Sequence, residues 1–107
     1  MPLSNISQYN LQTEKIRAKI NAIDSNLLKL LKLRFEFCHQ IGTLKKSFQQ
    51  PIIQTQRNNE VISNYLNYAK QYGLNRRFVE QLVRLIIDES CKIQKSNSFT
   101  DPVSLLP

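Results

Sequence analysis

The chain has 107 residues, 41% of them apolar and 21% charged, with two Gly, four Pro and no Trp. That length suits one domain and is too short for two, and the dominance of Leu, Ile, Lys, Gln and Asn favours helices over sheets. A formal net charge of +7 leaves three anionic partners to weigh: nucleic acid, a membrane surface or a small ligand.

The first residues, MPLSNISQYNLQTEK, lack the apolar core of a secretory signal, and no run approaches the roughly 20 apolar residues of a membrane span. A cytoplasmic protein that does not enter a membrane is expected. Cys38 and Cys91 sit in helical patterns without CxxC spacing, and His39 is the only histidine, so neither a disulfide framework nor a metal site is supported.

Residues 1–10 read as an N-terminal extension, and residues 11–95 as one helical domain. From Ile16 the apolar positions run Ile16, Ile20, Ile23, Leu27, Leu30, then Arg34, then Phe37, Ile41, Leu44 and Phe48. This alternation of fours and threes is a heptad-like seam broken once, at Arg34. Asn10 or Thr13 is placed to cap its start and Pro51 to end it, which predicts a first helix over about residues 11–47.

At 1.5 Å per residue such a helix is on the order of 50 Å long, whereas a compact domain of this size has a radius of gyration of about 13 Å. The helix must protrude, and its seam is exposed unless another chain covers it. The expected architecture is all-α, three helices per chain with one very long first helix, in an intertwined homodimer.

Thr55 is placed to cap a second helix with apolar positions Val61, Ile62, Tyr65, Leu66, Ala69 and Tyr72, ending at Gly73 with Leu74 in position for the accompanying contact. Asn75 then caps a third helix containing Phe78, Val79, Leu82, Val83, Leu85, Ile86, Ile87 and Ile93. Apolar over most of its circumference, that helix belongs at the centre of a bundle. Residues 96–107, with two Pro and no helical period, read as a flexible tail.

Polar residues on these apolar faces are the candidates for function. Lys45 lies eleven residues after Arg34, three turns and about 20° on, so both cations occupy one face about 16 Å apart. No acidic residue on that face neutralises them, and buried cations without partners are costly. A carboxylate-bearing ligand supplies the missing charge. Ser90 and Gln94 form an i, i+4 pair on the third helix, with Ser90 continuing the stripe of Leu82 and Ile86. Arg17 is about 25 Å from Arg34 along the helix, out of reach of the same ligand except from a partner chain.

The bland readings stand beside these. Arg34 can set coiled-coil register or extend outward, Lys45 can favour a helix C-terminus, and Ser90 can bond to its own backbone. A dimeric DNA-binding or regulatory module, suggested by pI 9.7 and by Arg76, Arg77 and Arg84, leaves the inward Arg34 unexplained and lacks a recognition motif.

Taken in order, IRAKINAIDSNLLKLLKLR, IGTLKK, PIIQTQR and GLNRRFVEQLVRLIIDESCKIQ resemble the all-α intertwined chorismate mutases over about residues 14–95. The resemblance implies rearrangement of chorismate to prephenate without cofactor, nucleophile or metal. It implies catalytic Lys45 and Gln94 beside the breaking ether bond, with Arg34, Arg57 and Ser90 binding the dianionic substrate and Arg17 supplied by the partner chain. Membrane and nucleic acid are not implied partners.

Two positions depart from the family pattern: Gln54 and Asn58 stand where acidic residues usually lie near the substrate's ring hydroxyl. Both can still accept a hydrogen bond, so they remain substrate-binding candidates. Isochorismate pyruvate lyases share the scaffold and lack those acids, and an amino analogue of chorismate is a further candidate substrate; PIIQTQR and IIDESCKIQ look more mutase-like.

Overall fold

A computed structural model describes residues 2–96. The described residues form three helices and no strand: α1, Pro2–Ser47; α2, Thr55–Tyr72; and α3, Arg76–Lys95. The all-α expectation with one very long first helix holds. The residues up to Arg34 and those from Phe35 onward are separate units, the first a single stretch of helix. The expected tail lies outside the described residues, apart from Ser96, which closes α3 by donating its N–H to the Ile93 and Lys92 carbonyls.

α1 begins at Pro2, not near residue 11. Pro2 suits a first-turn position, where a missing N–H is harmless, and nothing from Leu3 to Asn10 breaks a helix once propagation has started. Neither Asn10 nor Thr13 is a start.

The other end of α1 matters more for the site. Gln49 adopts a left-handed conformation at φ 54°, with its N–H on the Lys46 carbonyl at 3.2 Å, while Gln50 N–H reaches the Lys45 carbonyl at 2.7 Å. This is the paired closure of a Schellman motif with Gln in place of the usual Gly, and Pro51 follows. It turns the chain back towards Lys45.

Gln54, not Thr55, occupies the N-cap of α2, and its side chain makes no capping bond. Gly73 ends α2 as expected, at φ 69°, and both its N–H and that of Leu74 meet the Ala69 carbonyl. Leu74 itself remains 54% exposed. Asn75 caps α3, its Oδ1 accepting from Phe78 N–H at 2.8 Å.

The core lies where α2 packs on α3. Val61 and Ala69 of α2 are buried, as are Val79, Val83, Ile86, Ser90 and Ile93 of α3, spaced by fours and threes. Each large apolar side chain withdrawn from water here contributes about 1.5–3 kcal/mol. The reading of α3 as buried nearly all round needs correction within one chain, because Phe78 and Leu85 are 58% and 68% exposed. The α1 seam is likewise uncovered in the single chain, from Ile16, Ile20, Ile23, Leu27 and Leu30 to Phe37, Ile41, Leu44 and Phe48. Among the described residues no helix is long and apolar enough to cross a membrane.

Candidate active site

The C-terminal part of α1 meets the last turn of α3 at Gly42. A Cβ placed on Gly42 would lie 2.5 Å from the Gln94 carbonyl oxygen and 2.6 Å from its Cα. Only glycine lets the two backbones approach this closely, although its use inside a helix costs about 1 kcal/mol relative to Ala. Gly42 was absent from the sequence-derived site. Its signal was that one of only two glycines falls inside a long helix, with no turn to account for it.

That approach sets Lys45, one turn on, against Gln94. Lys45 Nζ donates to Gln94 Oε1 at 2.6 Å and to the Ile52 carbonyl, also at 2.6 Å. Lys46 donates to the Lys95 and Ser96 carbonyls at 3.1 and 3.3 Å, tying down the C-terminus of α3. Lys45 therefore has hydrogen-bond partners that the sequence did not reveal, both of them neutral: the Gln94 amide oxygen and a backbone carbonyl from the loop after the α1 turn.

Burial holds the Lys45 pKa below the ordinary 10.5, and the nearby Cys91 and Cys38 partly offset that by favouring the charged form. The charge assignment also orients the amide. An ammonium only donates, so Gln94 must turn its oxygen to Lys45, which leaves its two amide N–H groups for another acceptor. One ammonium N–H of Lys45 remains beyond the two bonds just named. The pair thus carries N–H donors that these two bonds do not use.

The other predicted residues are distributed as follows. Ser90 is buried one turn before Gln94, and its Oγ donates to the Ile86 carbonyl at 2.6 Å, the backbone bond that a helical serine ordinarily makes. Gln54 and Asn58 are half-buried at the start of α2, with Asn58 N–H on the Gln54 carbonyl at 3.0 Å. Asn58 faces a depression of about 400 Å³ shared with Ile62 of α2 and Arg84, Ile87 and Asp88 of α3. Arg57, on the exposed side of the same turn, lies 3.4 Å from Glu60. Arg17 is exposed and pairs with Glu14 at 3.3 Å, and Arg34 is half-buried; both belong to the separate N-terminal stretch of α1. The structure thus joins Lys45 to Gln94, and Gln54 to Asn58.

A three-helix all-α chain, with a lysine–glutamine donor pair between its first and third helices, defines the class. The sequence matches the chorismate mutase type II family over residues 16–95, and the chain belongs to that family. It is 32% identical over 81 residues to a 4-amino-4-deoxychorismate mutase of Streptomyces pristinaespiralis, covering 76% of this chain and 63% of that protein. Identity is 34% over 91 residues to a bifunctional chorismate mutase/prephenate dehydratase of Buchnera aphidicola subsp. Schizaphis graminum, covering 83% of this chain but 24% of the relative. A 4-amino-4-deoxychorismate mutase of Streptomyces venezuelae is 28% identical over 83 residues, covering 78% of this chain and 81% of the relative. The chain therefore spans under two thirds of the first two relatives.

Proposed function

We propose that this chain is a chorismate mutase, converting chorismate to prephenate by an intramolecular rearrangement in aromatic amino acid biosynthesis. The observation that carries the reading is the half-buried Lys45–Gln94 pair, in a chain of the chorismate mutase type II family. The ether C–O bond breaks as a new C–C bond forms, and negative charge grows on the ether oxygen. A Lys45 ammonium N–H and a Gln94 amide N–H directed at that oxygen stabilise it, each well-placed donor by about 3 kcal/mol.

The remaining requirement is conformational. Arg34, Arg57 and Ser90 bind the two carboxylates and hold the flexible enolpyruvyl arm over the ring, so the reacting carbons meet without a further entropic cost. Arg57 leaves Glu60 to do so, a small loss, since an exposed pair is worth at most about 1 kcal/mol. The Ser90 hydroxyl turns from the Ile86 carbonyl to the substrate. Gln54 and Asn58 take the ring substituent.

The active unit is an intertwined homodimer in which the partner chain supplies Arg17. The exposed α1 seam supports this: Ile16, Ile23, Leu27 and Leu30 are each more than half exposed in one chain. A continuous apolar stripe of that length calls for a second copy of the same stripe.

A second reading concerns the substrate alone. Two of the relatives are named 4-amino-4-deoxychorismate mutases, and Gln54 and Asn58 present neutral amides where an amino or hydroxyl substituent would lie. Incubating the protein separately with chorismate, its 4-amino analogue and isochorismate, then identifying products by chromatography, decides among them. Prephenate from chorismate, at a higher kcat/KM than the amino analogue gives, is the expected result. Preference for the amino analogue would transfer the assignment to it, and salicylate with pyruvate from isochorismate would replace a mutase by a lyase.

A further inference from the structure

The Gly42 contact fixes the register of two other residues. From Gly42 to Lys46 on α1, the contacts on the other helix advance from Gln94 to Lys95 and Ser96, so α1 and α3 run the same way through their crossing. Cys38 stands four residues before Gly42, and Cys91 three residues before Gln94. Each is about one turn, or 5.4 Å, back from the contact, and within about 60° of it around its own helix. Both are half-buried and reduced.

At the common helix-crossing angles of about 20–50°, axes that touch at a glycine separate by about 2–5 Å over one turn. The Cα separation that a disulfide requires, about 4.4–6.8 Å, is then within reach of a small adjustment. From this register we infer that Cys38 and Cys91 are a vicinal thiol pair in the wall of the Lys45–Gln94 site, and that a peroxide or disulfide oxidant converts them to an intrachain disulfide that switches the site off.

With peroxide, one thiolate attacks an oxygen, forming a sulfenic acid and releasing hydroxide. The second thiol displaces the sulfenic oxygen as water. Overall, two thiols and one peroxide give one disulfide and two waters, the two electrons passing from the sulfurs to the peroxide. Drawing the helices together one turn from Gly42, where there is no slack, displaces Lys45 from Gln94. A shift of about 1 Å at such a site costs on the order of 100-fold in rate.

The inhibitory part of this inference rests on the mutase reading; the linkage itself does not. The experiment treats the folded, full-length protein with oxidised glutathione or dilute hydrogen peroxide, alkylates the remaining thiols and digests it for mass spectrometry. Prephenate formation is followed in the same samples before and after reduction. The expected result is a peptide containing Cys38 linked to one containing Cys91 within a chain, with activity reduced by about 100-fold and restored by dithiothreitol. Cys38→Ser and Cys91→Ser should each abolish the linkage and the oxidant's effect relative to that variant's own untreated rate. Thiols that stay reduced, oxidise separately or link between chains overturn the pair. Linkage without loss of activity overturns the switch, and linkage in a protein that never makes prephenate counts against the mutase reading alone.

Discussion

Lys45 Nζ and Gln94 Oε1 stand 2.6 Å apart, joining the last turn of α1 to the last turn of α3. The bond uses the one part of the Gln94 side chain that cannot donate and leaves its amide N–H groups directed elsewhere. Replacing that amide separates donation from mere polarity. Gln94→Glu should keep the contact with Lys45 but lower neutral-pH activity by about 100- to 1,000-fold, because a carboxylate has no proton to offer the ether oxygen. Activity should recover as pH falls and the carboxyl protonates. Unchanged neutral-pH activity would remove Gln94 from the reaction.

The lowered Lys45 pKa has consequences of opposite sign for activity and stability. The ammonium is the active form, so kcat/KM should fall on an alkaline limb set below the ordinary 10.5. A bound dianion favours the ammonium, so the limb of kcat should lie at higher pH. For folding, the unfolded chain holds this proton more tightly, and stability contributed at Lys45 rises with pH between the lowered value and 10.5. Rate profiles, and denaturant titrations of wild type against Lys45→Met, check the two halves separately.

Gly42→Ala tests the backbone contact. In an ordinary helix interior the change would stabilise by about 1 kcal/mol. Here the new methyl meets Gln94 backbone atoms at 2.5 and 2.6 Å, and backbone cannot rotate away. The sign should reverse, with a loss of about 1–3 kcal/mol and a lower melting temperature. Activity should fall further than stability alone explains, since Gln94 moves with α3.

Arg17 and Arg34 test the sharing of sites between chains. Arg17→Ala and Arg34→Ala proteins should each be nearly inactive, while a mixed dimer places both lesions in one site and leaves the other intact. After subunit exchange, an equimolar mixture should recover about a quarter of wild-type activity, since half the dimers are mixed and each has one good site. Proven exchange without recovery would confine each site to one chain.

Much of this was legible in the sequence because it rests on periodicity and terminal residues. Gly73 and Asn75 are local signals and marked their helix boundaries correctly. Lys45 and Gln94 stood out as polar groups on apolar faces, and the structure brings them together. What escaped depends on tertiary contacts. Gln49 is not a typical left-handed residue, yet it closes α1, and the Ile52 carbonyl beyond the turn meets Lys45. The Ile52 carbonyl has no side-chain signature, so Lys45 looked unpartnered. The start of α1 was missed because polar residues without Gly or an internal Pro permit a helix without announcing it. Leu85 and Phe78 looked like core, whereas burial within one chain follows the narrower stripe from Val79 to Ile93.

The most direct measurement compares prephenate formation from chorismate by purified wild type and Lys45→Met, with melting temperatures taken on the same samples. Methionine fills the space of the lysine stem and removes its charge, so the two proteins should melt within about 4 °C of each other. The wild type should form prephenate, and the variant should do so about 100- to 1,000-fold more slowly. A folded wild type that forms no prephenate, or a folded variant that matches it, would contradict the account.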